Sequence, residues 1–242
     1  MKKEEVCARI EEIGVIPAVR FRSAEDARFA VQAVSRGGIP IVEITMTVPG
    51  AIELISELSR NSPDVIVGAG TIFDKETASR CLDAGAKFLT SPGLDLQLVE
   101  FAIKKEVVVL AGALTPTEVT MAWKAGAAFV KVFPCSLVGG EKYIKALKGP
   151  FRHVPLIAAG GVNQMTAANF ILAGASAIGV GGELVPEEAI QHRQEERIHE
   201  LARRFVGFVS DARRLLELAK EPPKKTKTDF SKFHRHAHPG KQ

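Results

Sequence analysis

The chain has 242 residues, 46% of them hydrophobic and 25% charged, the profile of an ordinary globular protein. That length suits one large α/β domain, since eight-stranded barrels run near about 250 residues. No apolar run approaches the roughly 18–20 residues that cross a bilayer, so no membrane role is expected. The N-terminal MKKEEVCARIEEIG lacks the apolar stretch of a signal peptide and reads as a short helix. The net charge of +4 is local: residues 221–242 hold six Lys/Arg against two Asp/Glu, and the rest carries 26 of each sign. The body therefore has no basic excess for nucleic acid. Cys7, Cys81 and Cys135 are odd in number and lack a CxxC pair. Neither a disulfide framework nor a zinc site is expected, and a reducing cytoplasm is the default.

After the N-terminal helix, eight short apolar, β-branched segments recur. They are VIPAVR (15–20), IPIVEIT (39–45), DVIVGAG (64–70), KFLTS (87–91), VVVLAG (107–112), FVKVFP (129–134), PLIAAGG (155–161) and AIGVGG (177–182). Continuous apolarity predicts strands covered on both faces. Between them lie helical spacings such as Ala27, Ala30, Val31 and Val34, then Ala51, Leu54, Ile55 and Leu58. Segment ends fall about every 21–27 residues, the length of one strand–helix unit. Eight units predict a closed (β/α)8 barrel; an open doubly wound sheet would use fewer strands and one dominant Gly-rich turn. A long amphipathic helix follows, with apolar residues from Ile198 to Ala219 at helical spacing, ended by Pro222 and Pro223. The expected organisation is one barrel domain over 1–220 and a basic, flexible tail over 221–242. The alternating His234, His236 and His238 of that tail read as solvated, with weak metal binding as the other reading.

A barrel carries its active site at the C-terminal ends of its strands. The polar residues at those ends are Arg20, Glu43, Thr45, Thr71, Ser91, Thr115 and Lys131, with the pairs Gly160–Gly161 and Gly181–Gly182. Lys131 interrupts the apolar run AAFVKVFP, and lysine is almost never buried without a partner or a function. Burial disfavours a charged amine, leaving the free base that a carbonyl-attacking nucleophile needs. The other reading is a lysine whose stem is buried and whose head reaches solvent. Glu43 is a second charge inside an apolar run, IVEIT. Together the two would supply a nucleophile and a proton shuttle, or else a structural ion pair that is costly to bury. The late glycine pairs expose backbone amides to an anion, as barrels do after strands 7 and 8, although tight turns explain them too. Cys135 lies nearby but has no histidine close in sequence, so it reads as a packing thiol.

The ordered set GGIPIVEITMTVPGA, IVGAGTI, FLTSPGL, GALTPTE, FVKVFP, AAGGV and GVGGEL resembles the KDPG/KHG aldolase family over about residues 10–215. The resemblance implies a homotrimer of barrels with no cofactor, cleaving a 4-hydroxy-2-keto acid to pyruvate and an aldehyde through a Schiff base. By that resemblance Lys131 is the Schiff-base lysine and Glu43 the general acid/base. Thr71 lies near the pyruvoyl carboxylate, and Pro92 and Phe133 line the pocket. Arg20 is a cationic partner for an acid group. Thr47 stands where some members place an arginine for the substrate carboxylate. The family's phosphate pocket typically reads PTGG and then GGS; here the segments are AAGG, with Ala158 and Ala159, and GGE, with Glu183. A carboxylate there would repel a phosphate dianion, and the expected substrate is an unphosphorylated 2-keto-3-deoxy acid. A Glu183 paired with Arg20 or Arg22 would leave phosphate binding intact. Two other functions fit a barrel of this length: a sugar-phosphate epimerase, which would want paired acids or histidines at the strand ends, and a non-catalytic scaffold, which has no reason to bury Lys131 and Glu43.

Overall fold

The computed structural model describes residues 1–220; the segment 221–242, expected as a flexible tail, lies outside the described residues. Eight parallel strands pair in sequence order: β1 (Val15–Val19), β2 (Ile41–Thr45), β3 (Ile66–Gly70), β4 (Phe88–Thr90), β5 (Val108–Ala113), β6 (Phe129–Val132), β7 (Leu156–Ala159) and β8 (Ala177–Val180). The ladder closes because β8 pairs back onto β1, with Gly179 beside Ile16. That last ladder excludes the open sheet and leaves no edge strand. Each strand falls inside the apolar segment expected for it except β5, which runs one residue past its segment, to Ala113.

Helices α2 (Ala24–Arg36), α3 (Ala51–Asn61), α4 (Lys75–Asp83), α5 (Leu96–Lys104), α6 (Pro116–Lys124), α7 (Glu141–Lys148) and α8 (Ala167–Leu172) alternate with the strands. Local chemistry starts several of them. The Ser23 and Asp74 side chains accept the amides of Asp26 and Thr77 at 3.1 and 2.6 Å. Thr115 and Glu118 form a reciprocal cap on α6, whose first residue is Pro116. Thr115, one of the polar strand-end residues, is thus tied up in starting a helix. The expected stripes on α2 and α3 are buried against the barrel at all eight positions.

Three further helices frame the barrel. α1 (Lys3–Ile13) precedes β1, with Val6 and Ile10 buried. α10 (Glu195–Lys220) packs on α2 and α8. Its apolar stripe is buried only as far as Ala212; Leu215 is 53% exposed and Ala219 is exposed as well. Helical spacing continues there past the surface it has to cover. Between β8 and α10 lies α9 (Glu187–Gln191), one turn too short for periodicity to announce.

Inside the barrel, packing turns on side-chain size. The Phe88 ring fills the space over Gly68, where an added Cβ would stand 2.1 Å from it. Phe88 and Phe129 are fully buried, so the lower lumen is a packed apolar core. The upper lumen is open, and its polar residues lie there.

Candidate active site

Glu43 and Lys131 arise from alternation on two strands. On β2, Val42 and Ile44 face the helices, so Glu43 turns into the lumen; on β6, Val130 and Val132 do the same for Lys131. Their charges meet at 3.8 Å, with the Lys131 side chain 13% exposed and that of Glu43 6%. An opposite pair at that distance gains roughly 4 kcal/mol at an effective dielectric of 20. Desolvation of both groups offsets much of the gain, so stability alone does not account for the pair. The Lys131 ammonium also stands 5.4 Å from the centre of the Phe133 ring, within cation–π range.

Small residues on the neighbouring strands make this possible. A Cβ on Gly70 would meet the Glu43 carboxylate oxygen at 2.1 Å, so the carboxylate occupies the volume that glycine leaves. Gly112 lies opposite Lys131 in the β5–β6 register, and a Cβ there would meet the Pro92 carbonyl carbon at 2.3 Å. The Ser91 hydroxyl accepts the Gly112 amide at 3.2 Å, fixing that approach. The buried Thr45 hydroxyl donates to the Val19 carbonyl at 3.2 Å and lies 2.6 Å from the Thr47 hydroxyl.

Above the pair opens a cavity of about 890 Å³, within the range of small-molecule sites. Ile16, Leu110 and Ile157 form an apolar floor beneath Lys131 and Glu43. Of the residues expected from sequence, Arg20, Glu43, Thr47, Lys131, Phe133, Gly160, Gly161, Gly181, Gly182 and Glu183 all line it. Thr71 and Pro92 do not. Thr71 follows Gly70 with a left-handed backbone (φ 62), and Pro92 packs on Gly112 beside Lys131 in the sheet. The two glycine pairs lie just past β7 and β8; Gly160 and Gly161 take positive φ of 85° and 81°, which a side chain would strain. Glu183, Arg20 and Arg22 are exposed at the rim, and Glu183 pairs with neither arginine. Cys135 is fully buried and its thiol is pushed up to about 12 by burial, as a packing residue's would be.

Sequence reasoning missed the outer wall: Phe21, Asp26, Glu187, Ile190 and Gln191. Only one signal pointed to α9, a proline followed by two glutamates, Pro186-Glu187-Glu188, which marks a helix start. No group of His, Cys, Asp and Glu placed to hold a metal occurs among the described residues. Nor is any helix among them long and apolar enough to cross a membrane.

The sequence model of the KDPG and KHG aldolases matches residues 6–201. The chain belongs to that family. The KHG/KDPG aldolase of Escherichia coli K12 is 31% identical over 79% of this chain and 90% of its own. The 2-dehydro-3-deoxy-phosphogluconate aldolase of Dickeya dadantii is 32% identical, over 80% and 91%. Among solved structures, the KDPG aldolase of Legionella pneumophila, with pyruvate captured as a covalent carbinolamine, is 31% identical with a TM-score of 0.76, covering 81% of this chain and 96% of that one. A cube-shaped cage designed by fusing symmetric oligomeric domains is 27% identical with a TM-score of 0.77, over 86% and 76%. The family's reaction is a carbon–carbon lyase reaction that cleaves to pyruvate and an aldehyde, and neither the epimerase nor the scaffold reading is favoured.

The packing of Glu43 over Gly70 makes a direct prediction. Gly70→Ala meets the flexible end of the glutamate, so the barrel folds while the carboxylate is displaced. Turnover should fall about 100-fold, as for a lost general acid/base, with an unchanged circular dichroism spectrum. Wild-type turnover in this variant would contradict the placement of Glu43.

Proposed function

We propose that this aldolase cleaves an unphosphorylated 4-hydroxy-2-keto acid through an imine on Lys131. The observation that carries the reading is the Lys131–Glu43 pair at 3.8 Å on the apolar floor of the cavity. The Lys131 ammonium passes a proton to Glu43, the freed amine adds to the C2 carbonyl of the substrate, and Glu43, directly or through one water, returns that proton to the carbinolamine oxygen so that it leaves as water. Glu43, now a carboxylate, takes the proton of the C4 hydroxyl. The C3–C4 bond breaks, its electron pair flows into the iminium to give an enamine, and the aldehyde departs. Protonation at C3 and attack of water on the imine release pyruvate and the free lysine. Thr47, held by Thr45, and Phe133 flank the reacting end, and the family resemblance puts Thr71 and Pro92 beside its carboxylate.

The far end of the substrate meets a rim that carries both signs. Arg20 and Arg22 stand with Glu183 and Glu187 around the glycine pairs, so no cationic cluster awaits a dianion. A phosphate near Glu183 would be repelled by roughly 4 kcal/mol at 4 Å and dielectric 20, and by about 1 kcal/mol when water screens the pair. Since Glu183 is exposed, the smaller figure applies, enough for a bias of several-fold. A hydroxylated tail suits the same rim, because carboxylates accept and backbone amides donate. The three free thiols at Cys7, Cys81 and Cys135 support a reducing cytoplasm as the setting.

Exposed apolar side chains on two sides of the barrel support oligomerisation. Phe73, 68% exposed, lies in the loop after β3, while Leu137 and Met165, 82% and 85% exposed, lie after β6 and β7 across the barrel. Such patches mark association surfaces. Unlike surfaces on opposite sides suit a head-to-tail contact, which forms a closed ring such as a homotrimer when the rotation between copies closes.

Two measurements check these readings. Pyruvate release should be faster, as kcat/KM, from an unphosphorylated 2-keto-3-deoxy acid than from its phosphate ester, and absent for both in Lys131→Met. Glu183→Ser should move the ratio toward the ester by about fivefold, near the 1 kcal/mol of screened repulsion; an unmoved ratio would contradict the electrostatic account. In light scattering after gel filtration, Phe73→Glu should run as a monomer beside a trimeric wild type, whereas a trimeric variant would remove Phe73 from the contact.

A further inference from the structure

The outer wall of the cavity is built from two elements that have no backbone ladder between them. Asp26, in the first turn of α2, lines one side; Glu187, Ile190 and Gln191 of α9 line the other. The two helices pack on each other, and one side chain ties them together. Arg193 follows α9 with a left-handed backbone, φ 49, unusual for a residue bearing a side chain. Its guanidinium reaches back to α2, meeting Glu25 at 2.7 Å and Asp26 at 2.9 Å, and lies 4.9 Å from the centre of the Phe29 ring.

The arms of this clamp are unequal. The Glu25 side chain is 76% exposed, and an ion pair so placed contributes little. Asp26 is 30% exposed and Arg193 40%, and the aromatic face covers part of the guanidinium, so the Asp26 arm and the stacking contact carry the tie. Strained residues persist where surrounding contacts over-determine them, and here three groups converge on one arginine.

We infer that Arg193 is a positioning residue for the aldehyde end of the substrate, acting through α9 and Asp26. This rests on the aldolase reading for its substrate but makes a separate structural claim. The clamp does two things at once. It fixes α9, and with it Gln191 and Glu187, against the rim that carries Arg20 and Arg22. It also neutralises Asp26, which would otherwise present a third carboxylate to the tail of the substrate beside Glu183 and Glu187. Arg193 lines no part of the cavity and touches neither Lys131 nor Glu43, so the pyruvate end is outside its reach.

The test separates the two ends. Arg193→Gly relaxes the left-handed position and removes the clamp; Arg193→Lys keeps the charge but loses the fork and the stacking. For Arg193→Gly, KM for a six-carbon 4-hydroxy-2-keto acid should rise about tenfold, the effect of one lost charge-assisted contact. Exchange of pyruvate methyl protons in D2O, which uses only the imine end, should stay within about twofold, since that step makes no contact with the clamp. Arg193→Lys should fall between, and adding Asp26→Asn to Arg193→Gly should recover part of the loss. Backbone amides of residues 187–191 should exchange hydrogen faster in Arg193→Gly than in wild type. Unchanged KM, or equal losses at both ends, would overturn the proposal. A wild type that exchanges no pyruvate protons would sink the aldolase reading alone. The clamp would then stand or fall on amide exchange, with unchanged protection of 187–191 overturning it.

Discussion

A lysine and a glutamate held 3.8 Å apart inside a barrel lumen form the constraint on which the rest of this structure depends. Removing two charges from water costs several kcal/mol each, and mutual attraction recovers that only in part. The fold accepts the cost by leaving side chains out elsewhere. Gly70 yields its volume to the Glu43 carboxylate, Gly112 admits the Pro92 backbone opposite Lys131, and Gly179 and Ala18 keep the upper lumen wide. Below that level Phe88 and Phe129 close the core, so charge sits only where the lumen opens to substrate.

From this pair outward the site divides by chemistry. The inner half is apolar apart from the proposed reacting groups, which strengthens electrostatic interactions at the bonds being made and broken. The outer half is polar, mixed in sign and built from loops and a one-turn helix, the parts of a barrel that vary without disturbing its frame. In the proposed reading, reaction type belongs to β2 and β6, and substrate choice to the segments after β1 and β8 and to the arginine that ties α9 to α2.

What was legible in sequence follows the same division. The strands announced themselves because each is covered on both faces and is therefore apolar throughout, and Lys131 and Glu43 stood out as charges within such runs. The stripe on α10 was legible but too long, since periodicity records what a helix could bury and not where its neighbour ends. Thr115 looked like a site residue and is a helix cap, although the TPTE spelling carried that alternative. The outer wall was illegible for a different reason. Asp26 and Arg193 are 167 positions apart, and nothing local in either segment states that they meet. Thr71 and Pro92, assigned to the pocket by resemblance, are not among the residues that line the cavity, and Pro92 packs instead on Gly112.

The claim at the centre is that Lys131 is the nucleophile. Incubation of the protein with pyruvate and borohydride, followed by peptide mass spectrometry, tests it without depending on the natural aldehyde. The structure predicts one stable adduct, on the peptide containing Lys131, lost in Lys131→Met and formed slowly in Glu43→Gln. An adduct on another lysine, or none on a folded protein, would contradict the account.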